Sequence, residues 1–346
     1  MTAAPPATTT EPGTGISSSS SASKNLLSVS DLTVLFDTPV GPRAAVDGVS
    51  FDVRDREILG LVGESGSGKS VTLSSIMGLT RSDSARIEGS ARLGDTELIS
   101  ADESTLRRIR GKDVGMVFQN PMTALNPVRT VGAQLADAIR LHDRTVSRAE
   151  IRERSRDALA DVGVPAPQMR LGQYAHELSG GLQQRVAIAM ALINAPGLVI
   201  ADEPTTALDV TVQAQVLDLL LAARERGASV VVVTHDLGVL AEVADRVAVM
   251  YAGRIVEIGP VADVIDHVAH PYTAGLRASL PRLGTRMERL TGIGGAPPLL
   301  VDRPTGCAFH PRCAHTETVC TTDRPELRPV GDAHASACHR WEVLHG

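Results

Sequence analysis

The sequence predicts an α/β fold. A mostly parallel core sheet surrounds a phosphate-binding loop, with an antiparallel β subdomain before it, a helical subdomain within it and a small cysteine-containing extension after it. Three observations carry this expectation. First, Gly63-Glu-Ser-Gly-Ser-Gly-Lys-Ser70 reads G-x-x-x-x-G-K-S, entered by the apolar run Ile58-Leu59-Gly60-Leu61-Val62 and left by a helix-compatible stretch from Val71 to Gly78. Second, Gly197-Leu-Val-Ile-Ala-Asp-Glu203 and Ser229-Val-Val-Val-Val-Thr234 are continuously apolar, as strands buried on both faces must be. Third, all four cysteines fall at Cys307, Cys313, Cys320 and Cys338, near the end of the chain.

Size and composition bound the answer. The chain has 346 residues, 43% of them hydrophobic, enough for one large core plus an appendix or for two domains. A formal net charge of −6 and only 2% aromatic residues argue against a nucleic-acid partner, which needs a basic face or stacking platforms. The longest apolar run, Val186 to Ile193, has eight residues, well short of the roughly 18 a membrane span needs. No basic-then-apolar signal opens the chain. These features predict a cytoplasmic protein that reaches a membrane only through partners.

The chain divides into a tail over residues 1–24, a core domain over 25–280 and an extension over 281–346. The tail is Thr, Pro, Ala and Ser, too poor in apolar surface to offset ordering entropy, so it is expected to be disordered. Leu27 to Phe36 and Val46 to Val53 partly alternate, with Val49, Phe51 and Val53 on one face, and predict antiparallel strands. Arg86 to Ile99 reads as further short strands, and Val114 to Phe118 as a strand ending at Gln119. From about residue 120 to 180 the texture is helical: Val131 to Leu141 has apolar spacings of three and four, and Ser147-x-x-Glu150 is a capping box opening Ile151 to Val162. A helix follows over Arg185 to Ile193, another over Val210 to Arg226, and two strands turn at Ala252-Gly253 between Arg246 and Ile258.

The chemistry concentrates at strand ends. Gly63, Glu64, Ser65, Gly66, Ser67 and Gly68, with Lys69, Ser70 and Val71 at the helix start, form the predicted phosphate cradle. Lys69 is expected at the β- and γ-phosphates and Ser70 at Mg²⁺. Asp202 is expected to hold Mg²⁺ through water, and Glu203 to be the general base for the water that attacks the γ-phosphate. Gln119 is placed either to ligate Mg²⁺ and orient that water or to serve as an ordinary loop residue. His235, at the tip of the strand ending in Thr234, is either a γ-phosphate contact or a satisfied core histidine. Phe36 is either core packing or a ligand contact. Leu178-Ser-Gly-Gly-Leu-Gln-Gln184 opens a helix with two glycines that a cap does not need, which suggests a second anion-binding end around Ser179, Gly180 and Gly181.

In this order, the phosphate loop, Gln119, Leu178-Ser-Gly-Gly181, Asp202-Glu203, Thr206-Ala-Leu-Asp209 and His235 resemble the ATP-binding subunit of ABC transporters over residues 26 to 285. The Leu-Ser-Gly-Gly signature is the most specific of these features. The resemblance implies the P-loop ABC nucleotide-binding fold and ATP hydrolysis with Mg²⁺. It makes Phe36 an adenine-stacking aromatic, Gln119 the Q-loop, Asp209 part of the D-loop and His235 the switch histidine. It also implies head-to-tail dimers, in which Ser179, Gly180 and Gly181 bind the γ-phosphate of ATP on the partner's loop. Gln119-Asn-Pro-Met-Thr-Ala-Leu-Asn-Pro127, Ala201 to Thr211 and His270-Pro-Tyr-Thr273 with Leu280-Pro281 look like the oligopeptide/dipeptide importer subfamily. Leu182-Gln183 departs from that subfamily, where a basic residue is usual. Expected partners are a second ATP-binding subunit (a paralogue), two permeases and an extracytoplasmic solute-binding protein, with this chain peripheral on the cytoplasmic face of the membrane. The alternatives are a nickel or other small-solute importer and, remotely, a soluble ABC ATPase of translation or DNA repair.

The cysteines follow C-x5-C-x6-C-x17-C amid prolines and turns. In a cytoplasmic chain a metal site is favoured over disulfides. Four thiolates suit an iron–sulfur cluster or zinc, with His310, His315 and His339 as substitute ligands or bystanders. Gly306-Cys-Ala-Phe-His-Pro-Arg-Cys313 also resembles the C-terminal extension of peptide-importer subunits, some of which hold a 4Fe–4S cluster, so a cluster is expected ahead of unmetallated cysteines or zinc.

Overall fold

The computed structural model describes residues 1, 25–120, 124–206, 209–279 and 292–344. The tail expected over residues 1–24 lies outside them except for Met1, as do Leu280-Pro281.

Two sheets form the described fold. The first begins with β1 (Asn25–Phe36) and β2 (Arg43–Arg54), paired antiparallel. Their alternation places Leu27, Val29, Leu32 and Val34 beside Val46, Val49, Phe51 and Val53, all buried, because successive side chains leave opposite faces. The strands β3 (Ile58–Val62), β4 (Ala85–Leu93) and β5 (Thr96–Glu97) follow in sequence, and the four-stranded sheet is ordered β2-β1-β4-β5.

The second sheet contains β3, β6 (Val114–Val117), β7 (Leu198–Asp202), β8 (Ser229–Thr234), β9 (Arg246–Tyr251), β10 (Arg254–Pro260), β11 (Arg328–Gly331) and β12 (His334–Ser336). Its order is β11-β12-β10-β9-β3-β8-β7-β6. From β9 to β6 the pairings are parallel. Every residue of β3, β7, β8 and β9 is buried, which explains their unbroken apolar runs. Register fixes the functional edge. Val62 pairs with Thr234 and Asp202 with Val233, so the C-terminal ends of β3, β8 and β7 emerge side by side.

Helices Val131–His142, Arg148–Asp161 and Pro167–Arg170 make the helical lobe. Thr130 Oγ1 accepts from the Ala133 N–H at 3.3 Å and Ser147 Oγ from the Glu150 N–H at 3.2 Å, capping the first two. Leu135, Ile139, Ile151 and Leu159 supply their buried faces. The helix expected to start at Arg185 instead runs over Gly180–Leu192 with Ser179 as N-cap. Both glycines occupy its first turn, where their N–H groups need no intrahelical partner and low propensity costs least. Among the described residues no helix is long and apolar enough to cross a membrane.

The extension is more regular than its prolines suggest. β12 pairs with β10 (Glu257 with Ser336, Ile258 with Ala335) and so continues the core sheet. Glu257, fully buried, accepts from the Ala269 N–H at 2.7 Å and is 2.9 Å from His334 Nε2, while the Ser336 hydroxyl donates to the Ala269 carbonyl at 2.7 Å. Removing the carboxylate leaves two buried groups without their acceptor. Glu257→Ala should therefore lower stability by about 3 kcal/mol or more, read as a lower urea midpoint. A loss under about 1 kcal/mol would mean that this joint does not seal the extension to the core.

Candidate nucleotide-binding site

β3 delivers the chain to the loop at the sheet's functional edge. A side chain at Gly63 would overlap the Met250 carbonyl, so β9 leaves no room for one. Gly68 caps the following helix, Lys69–Ile76, with φ +104°, and a Cβ there would stand 2.8 Å from the Ala45 carbonyl. These two glycines let the loop fold under β2 and the β9–β10 turn. Lys69 is only 4% exposed. Its ammonium donates to the Gly63 carbonyl at 2.6 Å, the Glu64 carbonyl at 3.0 Å and Ser67 Oγ at 3.4 Å. Burial pulls its pKa below the usual lysine value, and the charges of Glu203, Asp202 and Glu64 oppose that pull.

β7 brings the carboxylates to the same edge. The Ser70 hydroxyl donates to Asp202 Oδ1 at 2.9 Å, joining the two residues expected at Mg²⁺. Burial raises the Asp202 pKa above the ordinary carboxylate value and neighbouring Glu203 adds to the rise; the Ser70 hydrogen bond and Lys69 act against it. Glu203 has φ +46°, a conformation that costs a non-glycine residue energy and that clusters at functional sites. Its Oε2 accepts from Gln119 Nε2 at 3.0 Å and from the Thr206 hydroxyl at 2.9 Å, and lies 3.8 Å from His235 Nδ1. The structure thus gathers Gln119, Glu203 and His235 around one carboxylate. The His235 side chain is 62% exposed, which sets aside the core-histidine alternative.

Other expected site residues stand apart. Phe36, at the end of β1, is half-buried against the apolar core shared by the two sheets. Val71 packs on the same core, and Ser65 is exposed. Ser179 and Gly180 are exposed at their helix start, and Gly181 lies against Val212. Among the described residues, no hydrogen bond joins Ser179, Gly180 or Gly181 to residues 63–70. Asp209 caps helix Val210–Glu225, accepting from the Val212 N–H at 3.0 Å; Ala207 and Leu208 before it, and Pro121 to Thr123 after Asn120, lie outside the described residues.

The four cysteines are free thiols lining one narrow cavity together with His310, His315 and His339. Backbone N–H groups of His315 and Arg340 each donate at 3.3 Å to the sulfurs of Cys313 and Cys338. Burial raises the thiol pKa of Cys307 and Cys320 and pushes that of Cys338 up to about 12. His310 Nδ1 is spent on the Cys307 carbonyl and His339 Nε2 on the Asp323 carbonyl. Among the described residues, no group of three or more His, Cys, Asp or Glu is arranged to hold a single metal ion.

Sequence reasoning missed two partners of the loop. Arg312 forms a two-pronged ion pair with Glu64 at 2.6 and 2.9 Å, and the Tyr272 hydroxyl accepts from the Glu64 N–H at 2.7 Å. Tyr272 lies in the His270-Pro-Tyr-Thr273 motif and Arg312 just before Cys313, but nothing local ties either to the loop; only the fold brings them there.

Gly68→Ala forces a side chain into a left-handed backbone and against Ala45. It should cost about 1–3 kcal/mol and abolish binding of a fluorescent ATP analogue. Binding at wild-type affinity would show that the loop tolerates another path.

The family described as ABC transporter matches residues 46–206, and that described as oligopeptide/dipeptide transporter, C-terminal region, matches residues 256–320. The chain is 50% identical over 323 residues to the oligopeptide transport ATP-binding protein OppD of Mycobacterium tuberculosis, covering 93% of this chain and 53% of that protein. It therefore spans about half the length of this relative. With the dipeptide transport ATP-binding protein DppD of Bacillus subtilis it shares 48% identity over 317 residues, covering 91% of this chain and 94% of that one. Among solved structures, the ATP-binding cassette MJ0796, in a dimeric post-hydrolysis state bound to ADP and Pi, is similar with a TM-score of 0.62 at 29% identity, covering 68% of this chain and 98% of that chain. The cassette CbiO1 of Clostridium perfringens is similar with a TM-score of 0.59 at 26% identity, covering 70% and 91%. This chain belongs to the ABC transporter ATP-binding proteins, in the group that carries the oligopeptide/dipeptide transporter C-terminal region.

Proposed function

We propose that this chain is the ATP-hydrolysing subunit of an importer of oligopeptides or dipeptides, peripheral on the cytoplasmic face of the cell membrane. The observation that carries the reading is the junction of Ser70 with Asp202 and of Gln119 and His235 with Glu203, at the mouth of the phosphate loop. The C-terminal region and the relatives' names supply the substrate class.

In this mechanism the loop N–H groups and Lys69 bind the β- and γ-phosphates of ATP. Mg²⁺ would be held by Ser70, Gln119 and Asp202 and would neutralise phosphate charge. Glu203 takes the proton of a water as its oxygen attacks the γ-phosphorus; the bond to the β–γ bridging oxygen breaks, leaving ADP and phosphate. Gln119 orients that water and His235 contacts the γ-phosphate. Phe36 stacks on adenine. A second ATP-binding subunit, packed head to tail, adds its Ser-Gly-Gly segment to this loop and receives Ser179, Gly180 and Gly181 of this chain, with Asp209 at the joint. ATP closes the pair and hydrolysis reopens it, driving two permeases fed by an external binding protein.

We also propose that Cys307, Cys313, Cys320 and Cys338 hold a 4Fe–4S cluster. Four thiols line one cavity and two of them receive backbone N–H bonds, which supports this reading.

Glu203→Gln should lower ATP turnover of the assembled complex at least about a hundredfold while ATP binding persists; turnover near wild type would remove Glu203 from the base role. Short peptides with their binding protein should stimulate the wild-type ATPase. Stimulation by nickel instead would replace the substrate class. Anaerobically purified complex should carry roughly four iron and four acid-labile sulfide per chain, lost in Cys338→Ser; zinc without sulfide would overturn the cluster.

A further inference from the structure

Glu64 is the one acidic residue of the phosphate loop, and it stands where a triphosphate is to bind. Left alone, its charge opposes the polyanion. In this fold it is not alone. Arg312, 248 residues further along, meets its carboxylate with both terminal nitrogens. The Arg312 side chain is only 6% exposed and that of Glu64 25%, so solvent screens the pair little. Both partners are held. Arg312 Nε donates to the Gly294 carbonyl at 2.9 Å, and its guanidinium lies 5.8 Å from the Tyr251 ring centre and 5.9 Å from that of Phe309. The Glu64 carbonyl accepts from Lys69, and the Glu64 N–H is fixed by Tyr272.

We propose that Arg312 is a positioning residue for ATP binding: its fork on Glu64 neutralises the loop's own negative charge and fixes the peptide units that Lys69 and the phosphates share. The extension thereby becomes part of the nucleotide site. A bidentate guanidinium suits this task because it restrains orientation as well as charge. Tyr272 shares the restraint from helix Pro271–Ala278. The turn His310–Arg312 that aims the guanidinium lies between Cys307 and Cys313, with the Cys307 carbonyl accepting the His310 N–H at 3.0 Å. The turn that carries Arg312 is thus built on the same segment as two of the cysteines.

The inference rests on residues 63–70 being the phosphate loop. Lys69→Ala tests that separately: an active Lys69→Ala complex would sink the loop assignment, whatever Arg312 does. With the loop assignment secure, the test is steady-state ATPase kinetics of the intact transporter complex carrying Arg312→Ala, Arg312→Lys, Glu64→Gln or the Glu64→Gln/Arg312→Ala pair. Arg312→Ala should raise KM for ATP about tenfold with a smaller change in kcat, and Arg312→Lys, which keeps the charge but loses the fork, should raise it roughly threefold. In the Glu64→Gln background, Arg312→Ala should change KM by less than about twofold, because the charge it answers is gone. Equal penalties in both backgrounds would show that Arg312 acts on the fold and not on Glu64, overturning the proposal. Should Arg312→Ala fail to assemble, Arg312→Lys decides: an unchanged KM overturns the proposal and a raised one supports it.

Discussion

The constraint on which this structure depends is the parallel register of β3, β8 and β7. Pairing Val62 with Thr234 and Asp202 with Val233 places three strand ends on one edge. Each strand is fully buried, and a one-residue slip would turn its side chains the wrong way and displace the residue at its tip. The apolar core and the chemistry are therefore one problem: whatever keeps Val, Ile and Leu packed also keeps Gly63, Asp202, Glu203 and His235 within reach of each other.

The charges at that edge are arranged with equal economy. Asp202, Glu203 and Glu64 crowd a site meant for an anion, yet each acid has its own partner: Ser70 for Asp202, Gln119 and Thr206 for Glu203, Arg312 for Glu64. Lys69 is stripped of water and spends its protons on loop oxygens. Exchanging those oxygens for phosphate oxygens costs the lysine little further desolvation, which is what preorganisation means for a phosphate site.

How much of this was legible in the sequence follows from range. The loop, the buried strands and the cap at Ser147 rest on neighbours a few residues apart, and the glycine spacing, the apolar runs and Ser147-x-x-Glu150 announce them. The turn at Ala252-Gly253 was legible for the same reason. Arg312 with Glu64, Tyr272 with the Glu64 N–H, and Glu257 with His334 join residues far apart in the chain, and no local pattern shows that they meet. The extension looked irregular because strands as short as His334–Ser336 pair through backbone alone and need no apolar run. Phe36 remained ambiguous for a physical reason: a half-buried aromatic at a strand end satisfies packing and presents a face at once.

In the proposed head-to-tail pair each site is completed across two chains, with Ser179, Gly180 and Gly181 serving the partner's loop. The most direct test is ATPase activity of the assembled complex carrying Gly181→Asp in this chain alone, beside nucleotide binding by the variant chain. The variant chain is expected to bind ATP at its own loop with unchanged affinity, while hydrolysis at the partner's loop is lost to the carboxylate set against the γ-phosphate. Hydrolysis undiminished at both loops would contradict it.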